Sequence, residues 1–71
     1  MNKFIILEKI NEDNFDIHFS EDMDQTVAIV DSIVTEKLNK TLNEVNKEKL
    51  DQVVEVYSSI NNKKVKKNYF M

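Results

Sequence analysis

Apolar and polar residues follow two different periods along this chain. Residues 3–10, KFIILEKI, are rich in β-branched and aromatic side chains and predict a strand. Phe4, Ile6 and Ile10 share one face, Ile5 and Leu7 the other. Residues 11–14, NEDN, supply Asn and Asp for a turn. Residues 15–19, FDIHF, then alternate strictly, which predicts a second strand with Phe15, Ile17 and Phe19 turned inward and Asp16 and His18 outward. Together they make a β-hairpin, which is unstable in water without a surface to lie on.

From residue 21 the period lengthens. Ser20 suits a helix N-cap, and Glu21, Asp22 and Asp24 suit the positive end of a helix dipole. Met23, Val27, Val30, Val34 and Leu38 recur at three- and four-residue spacing, and Ile29 and Ile33 widen the stripe beyond what one neighbour needs. Through Leu42, Val45, Val53, Val56 and Ile60 the spacing stays near an average of about 3.7 residues, broken only at Lys49. Thr41 and Glu44 match a capping box, which argues for a fresh helix start. The expected fold is therefore α+β, an N-terminal β-hairpin packed on a helical hairpin (ββαα) spanning roughly residues 21–40 and 44–61. One long bent helix is the alternative, and a short C-terminal strand from the tail is a further option. Residues 1–62 are expected to form a single domain and residues 63–71 a basic tail.

Composition narrows the chemistry. The 71 residues contain no Cys, Gly or Pro, so disulfides, thiolate metal sites, glycine-built phosphate loops and nucleophile elbows are all excluded. So short a chain buries only about 60% of its unfolded surface, and often needs a staple or a partner. Net charge is −3, and all ten cations are lysines. The missing arginine weakens a nucleic-acid reading, since Arg makes the forked contacts to phosphates and base edges. Six lysines stand against thirteen acids before residue 63, whereas KKVKK, residues 63–67, is purely basic. The N-terminus lacks the roughly 7–15 apolar residues of a secretory leader and the chain lacks the roughly 20 of a membrane span. A cytoplasmic protein is expected. The asparagine-rich, arginine-free composition also fits a phage or mobile-element accessory protein.

The chemically richest stretch is EDNFDIHFSEDMD, residues 12–24, which holds six carboxylates around the single histidine. Asp22 and Asp24 point about 200° apart on a helix and cannot share an ion, and no HxxxH, HExxH or DxDxDG spacing occurs. Neither a metal, a cofactor nor a catalytic set is expected. Asp13, Asp16, Glu21, Asp22 and Asp24 instead form a candidate acidic surface for binding a basic protein, expected to gather where hairpin meets helix. Lys63, Lys64, Lys66 and Lys67 are candidate contacts to nucleic acid. Ile5, Leu7, Ile29 and Ile33 carry apolar surface in excess of what one chain can cover, which points to a homodimer. The expected function is that of a small non-enzymatic interaction or regulatory protein, in its sharpest form an acidic inhibitor of another, unidentified protein. A dimeric nucleic-acid-binding regulator and a structural assembly subunit are the rivals.

Overall fold

The structure is a computed structural model and describes residues 3–60 and 63–65. The fold is α+β: strands β1 (Phe4–Lys9) and β2 (Phe15–Ser20), helix α1 (Met23–Leu38), a 3₁₀ turn (Leu42–Glu44), helix α2 (Lys47–Val53) and strand β3 (Val54–Ser58). The sheet is antiparallel in the order β2-β1-β3. β2 and β3 are thus parallel to each other, and the helices form the crossover that carries the chain over β1.

The hairpin turn is held by Asn11, whose side-chain oxygen accepts the backbone N–H groups of Asp13 and Asn14, while Ile10 N–H donates to the Asn14 carbonyl. Leu7 pairs with Ile17 and Ile6 with His18 in the expected hairpin. The inward sense expected for β2, however, is reversed. Ile6 and Ser20 are buried under the helices, whereas Phe15, Ile17 and Phe19 are exposed. Ser20 is consequently the inward-facing end of β2 and not a helix cap. Its hydroxyl is hydrogen-bonded to that of Thr26, which also donates to the Asp22 carbonyl. Asp22 takes the N-cap role, accepting from the Gln25 N–H at 2.8 Å.

α1 ends at Asn39, which adopts the left-handed conformation (φ 54°) and donates its N–H to the Thr35 carbonyl. This break rules out one continuous helix. Asp31 then accepts the Leu42 N–H at 3.0 Å, pinning the connection to α1, and Glu44 reaches back to Thr41 as the capping box requires. α2 is only seven residues long and stops at Val53. Residues 54–58, read from spacing as the second half of a helix, pair instead with the free edge of β1, Ile6 opposite Val56 and Glu8 opposite Val54. The β-branched run VVEV favours a pleated strand over a helix, and β1 offers it a ladder of backbone partners. The C-terminal strand therefore falls earlier than the tail. Residues 63–65 run back along its outer side: Ser58 N–H donates to the Lys63 carbonyl, and Val65 N–H to that of Val56.

The core is a single cluster of Ile6, Val30, Ile33, Val34, Leu42, Val45, Leu50, Val54 and Val56. α1 meets both the sheet and the segment 42–50, which accounts for its wide apolar stripe. The shortest dimension of the molecule is 17 Å, enough for one sheet and one helical layer.

Candidate interaction face

Strand pleating sends alternate side chains to opposite faces of the sheet. With Ile6, Ser20, Val54 and Val56 beneath the helices, the opposite face carries Phe15, Ile17 and Phe19 from β2, Ile5 and Leu7 from β1, and Tyr57 from β3. Ile5 lies between Phe19 and Tyr57, and Leu7 between Ile17 and Glu55. Among the described residues no element covers this face. Phe15, Ile17 and Phe19 remain 45%, 58% and 55% exposed. Isolated exposed apolar side chains are ordinary on a protein surface, but a contiguous group of six on one sheet face is the usual mark of a contact surface.

Within the three strands, charge on this face is confined to one corner. Lys9 approaches Glu55 at 3.8 Å and donates to the Asp51 carbonyl. Lys64 bridges Asp51 at 3.5 Å and Glu55 at 3.6 Å, and Tyr57 donates to Glu55. The corner is a network of opposite charges that neutralise one another.

The acidic residues do not gather into one patch. Asp13 lies in the hairpin turn, whereas Glu21, Asp22 and Asp24 lie beyond the far end of β2, roughly 25 Å away along an extended strand. Asp16 sits between them, opposite Glu8. Asp13, Asp16, Glu21 and Asp22 follow the course of the edge strand β2, partly for local reasons, since Asp22 caps α1, whereas Asp24 in the first turn of α1 borders the cleft between α1 and residues 41–43. The residues assigned to self-association divide. Ile5 and Leu7 are on the open face, whereas Ile33 is in the core and Ile29 packs partly buried against it, on the other side of the sheet. Of the lysines, Lys64 is engaged with Asp51 and Glu55, and Lys63 meets Ser58 through its carbonyl. Lys66 and Lys67 lie outside the described residues.

His18 faces the helices, 3.0 Å from Glu8 Oε1, and Lys37 of α1 approaches the other Glu8 oxygen at 3.5 Å. This half-buried triplet borders a shallow cleft lined also by Ala28, Ile29, Ser32 and Glu36. It ties β1, β2 and α1 together across a polar stretch of the interface. Among the described residues no group of three or more His, Cys, Asp or Glu side chains is placed to hold a metal ion, and no helix is long and apolar enough to cross a membrane.

Phe15, Ile17, Phe19 and Tyr57 are candidate residues of the open face that the sequence pattern alone does not select. Their alternation was visible, but strand β1 is apolar on both faces and so could not say which side was covered. The signal was present in residues 54–58. Read as a strand, they set Val54 and Val56 against Glu55 and Tyr57, which marks the face of Ile6 as the inner one. Compared with protein-family models, curated proteins and solved structures, the chain finds no match.

Proposed function

We propose that this chain is a non-enzymatic protein-interaction module that works through the open face of its sheet. One observation carries the reading: Ile5, Leu7, Phe15, Ile17, Phe19 and Tyr57 form a contiguous apolar surface on the side away from both helices. Such a surface rewards contact with another apolar surface, and its flat, strand-built shape suits a broad protein partner better than a small ligand. The acidic strip along β2 gives the rim a negative field, which speeds encounter with a basic counterpart. An inhibitory role against another protein fits this arrangement. The nucleic-acid alternative draws less support, because Lys64 is already matched by two carboxylates and the chain has no arginine.

Photocrosslinking tests the assignment. A photoreactive residue replacing Ile17, at the centre of the open face, is expected to give discrete protein adducts in cells that express the chain. The same residue replacing Ser32, on the exposed side of α1, is expected to give none. Absence of protein adducts at position 17, or equal yields at 17 and 32, would overturn the reading.

A further inference from the structure

We infer that the first occupant of the open face is a second copy of this chain, sheet packed against sheet about a two-fold axis. This rests on the reading of that face as a docking surface and names its partner. The first argument is self-complementarity. A two-fold interface sets a surface against itself, so any uncompensated charge would meet its like. Here the charges on the face, Lys9 and Glu55, are paired with each other and with Asp51 and Lys64 at its margin. Within the strands everything else on the face is apolar apart from the Tyr57 hydroxyl, which already donates to Glu55.

Area supplies the second argument. At the exposures of Phe15, Ile17 and Phe19, and with Ile5, Leu7 and Tyr57 half-buried, the face presents roughly 400 Å² of apolar side chain. Two such faces with their rims reach about 1,000 Å² of buried surface, the lower bound for a specific interface. A dimer of micromolar strength is expected, not an obligate one.

Electrostatics then decides between the two routes by which sheets associate. Edge pairing of β2 with its copy would set two strips side by side, each holding Glu12, Asp13, Asp16, Glu21 and Asp22, with no lysine between residues 10 and 36. The sheet's other edge, β3, is already flanked by residues 63–65. Edge pairing would also leave the apolar face uncovered. Face-to-face packing at the usual ~10 Å separation buries that face and leaves the acidic strips at the solvated rim.

Light scattering after size exclusion, run from about 1 to 500 µM to bracket a micromolar dimer, tests the inference. The wild-type chain is expected to move from its 8.4 kDa monomer mass toward twice that value. Ile17→Lys and, independently, Phe19→Lys are expected to stay monomeric throughout with an unchanged circular dichroism spectrum, while Ala28→Lys on α1 dimerises as wild type does. A dimer that survives both face substitutions would overturn the inference and the docking-surface reading together. A wild-type monomer at all concentrations would overturn the second copy alone, provided that an apolar dye still binds wild type and not Ile17→Lys. Without that dye binding, both fail.

Discussion

The sheet has two faces, and the helices cover the less apolar one. Under α1 and α2 the strands present Phe4, Ile6, Val54 and Val56 among Glu8, Asp16, His18, Ser20 and Ser58. The opposite face presents six large apolar side chains and two charges. Counting apolar residues would have sealed the wrong side. The helix-covered face works because its more buried polar groups on β1 and β2 are partnered, Ser20 with Thr26, and Glu8 with His18 and Lys37, while Asp16 is exposed. The route of the chain sets the side on which the helices lie, and the strand register sets which side chains face them. β2 and β3 are parallel, so the helical segment between them is a crossover, and crossovers of this kind take one hand almost without exception. That places the helices on one side of the sheet whatever the other side carries. Apolar residues kept on the far side are then surplus to folding, which is why they carry the functional reading.

The sharpest way to break this comparison is to truncate one isoleucine on each face. Ile6→Ala empties a fully buried site and is expected to cost about 2–5 kcal/mol in urea-induced unfolding. Ile17→Ala, made on a dilute sample, is expected to cost less than about 1 kcal/mol, since the side chain is more than half exposed. Equal costs would mean that the second face is sealed too.

A smaller effect sharpens the account of the covered face. Thr26→Val leaves the Ser20 hydroxyl buried without its partner, at an expected cost of about 1–3 kcal/mol. Adding Ser20→Ala is expected to restore much of it, because two apolar groups no longer strand a polar one. Additive losses in the double variant would show that the hydroxyl pair does not act as a unit. Smaller still, Glu8→Gln is expected to cost about 1 kcal/mol by thermal unfolding, since it weakens contacts to His18 and Lys37 that remain partly exposed. No change would remove the triplet from the list of contacts that hold α1 to the sheet.

The smallest effect concerns the connection between the helices. The Thr41 backbone N–H and hydroxyl both donate to Glu44, and together they hold its carboxyl below the ordinary value of 4.5. A lowered folded-state pKa stabilises the fold above the unfolded value, and that contribution is lost as pH falls through the folded value. A titration followed by NMR should find the Glu44 midpoint below 4.5, moving upward in Thr41→Ala. A midpoint at or above 4.5 in the wild type would show that the capping contacts do not persist.

Much of this fold is legible in the sequence because local chemistry and tertiary structure agree there. FDIHF after the Asn-containing turn NEDN gives a hairpin strand, the three- and four-residue spacing from Met23 to Leu38 gives α1, and the Thr41–Glu44 pair marks a break. Residues 54–58 were misread because Val53, Val56 and Ile60 also fit a helical period, and a non-local event decides between them, pairing with the free edge of β1. The inward sense of β2 was misread for a related reason. An alternating strand states its period, but only the rest of the sheet and the crossover fix which phase is covered. Two groups of candidate residues lie apart from one another for distinct physical reasons. Ile29 and Ile33 were needed by a helix that packs on two neighbours, and the acids of residues 12–24 were spread along a strand whose rise separates its ends.

Exposure of the isoleucine methyl groups to a soluble paramagnetic agent, read by NMR from dilute to concentrated samples, tests the central claim most directly. In the dilute monomer the Ile17 methyl should broaden strongly while Ile6 and Ile33 are spared, and Ile17 should become protected as concentration rises. Protection of Ile17 equal to that of Ile6 in a sample shown to be monomeric would contradict the account, because the face assigned to partners would then already be closed by the chain itself.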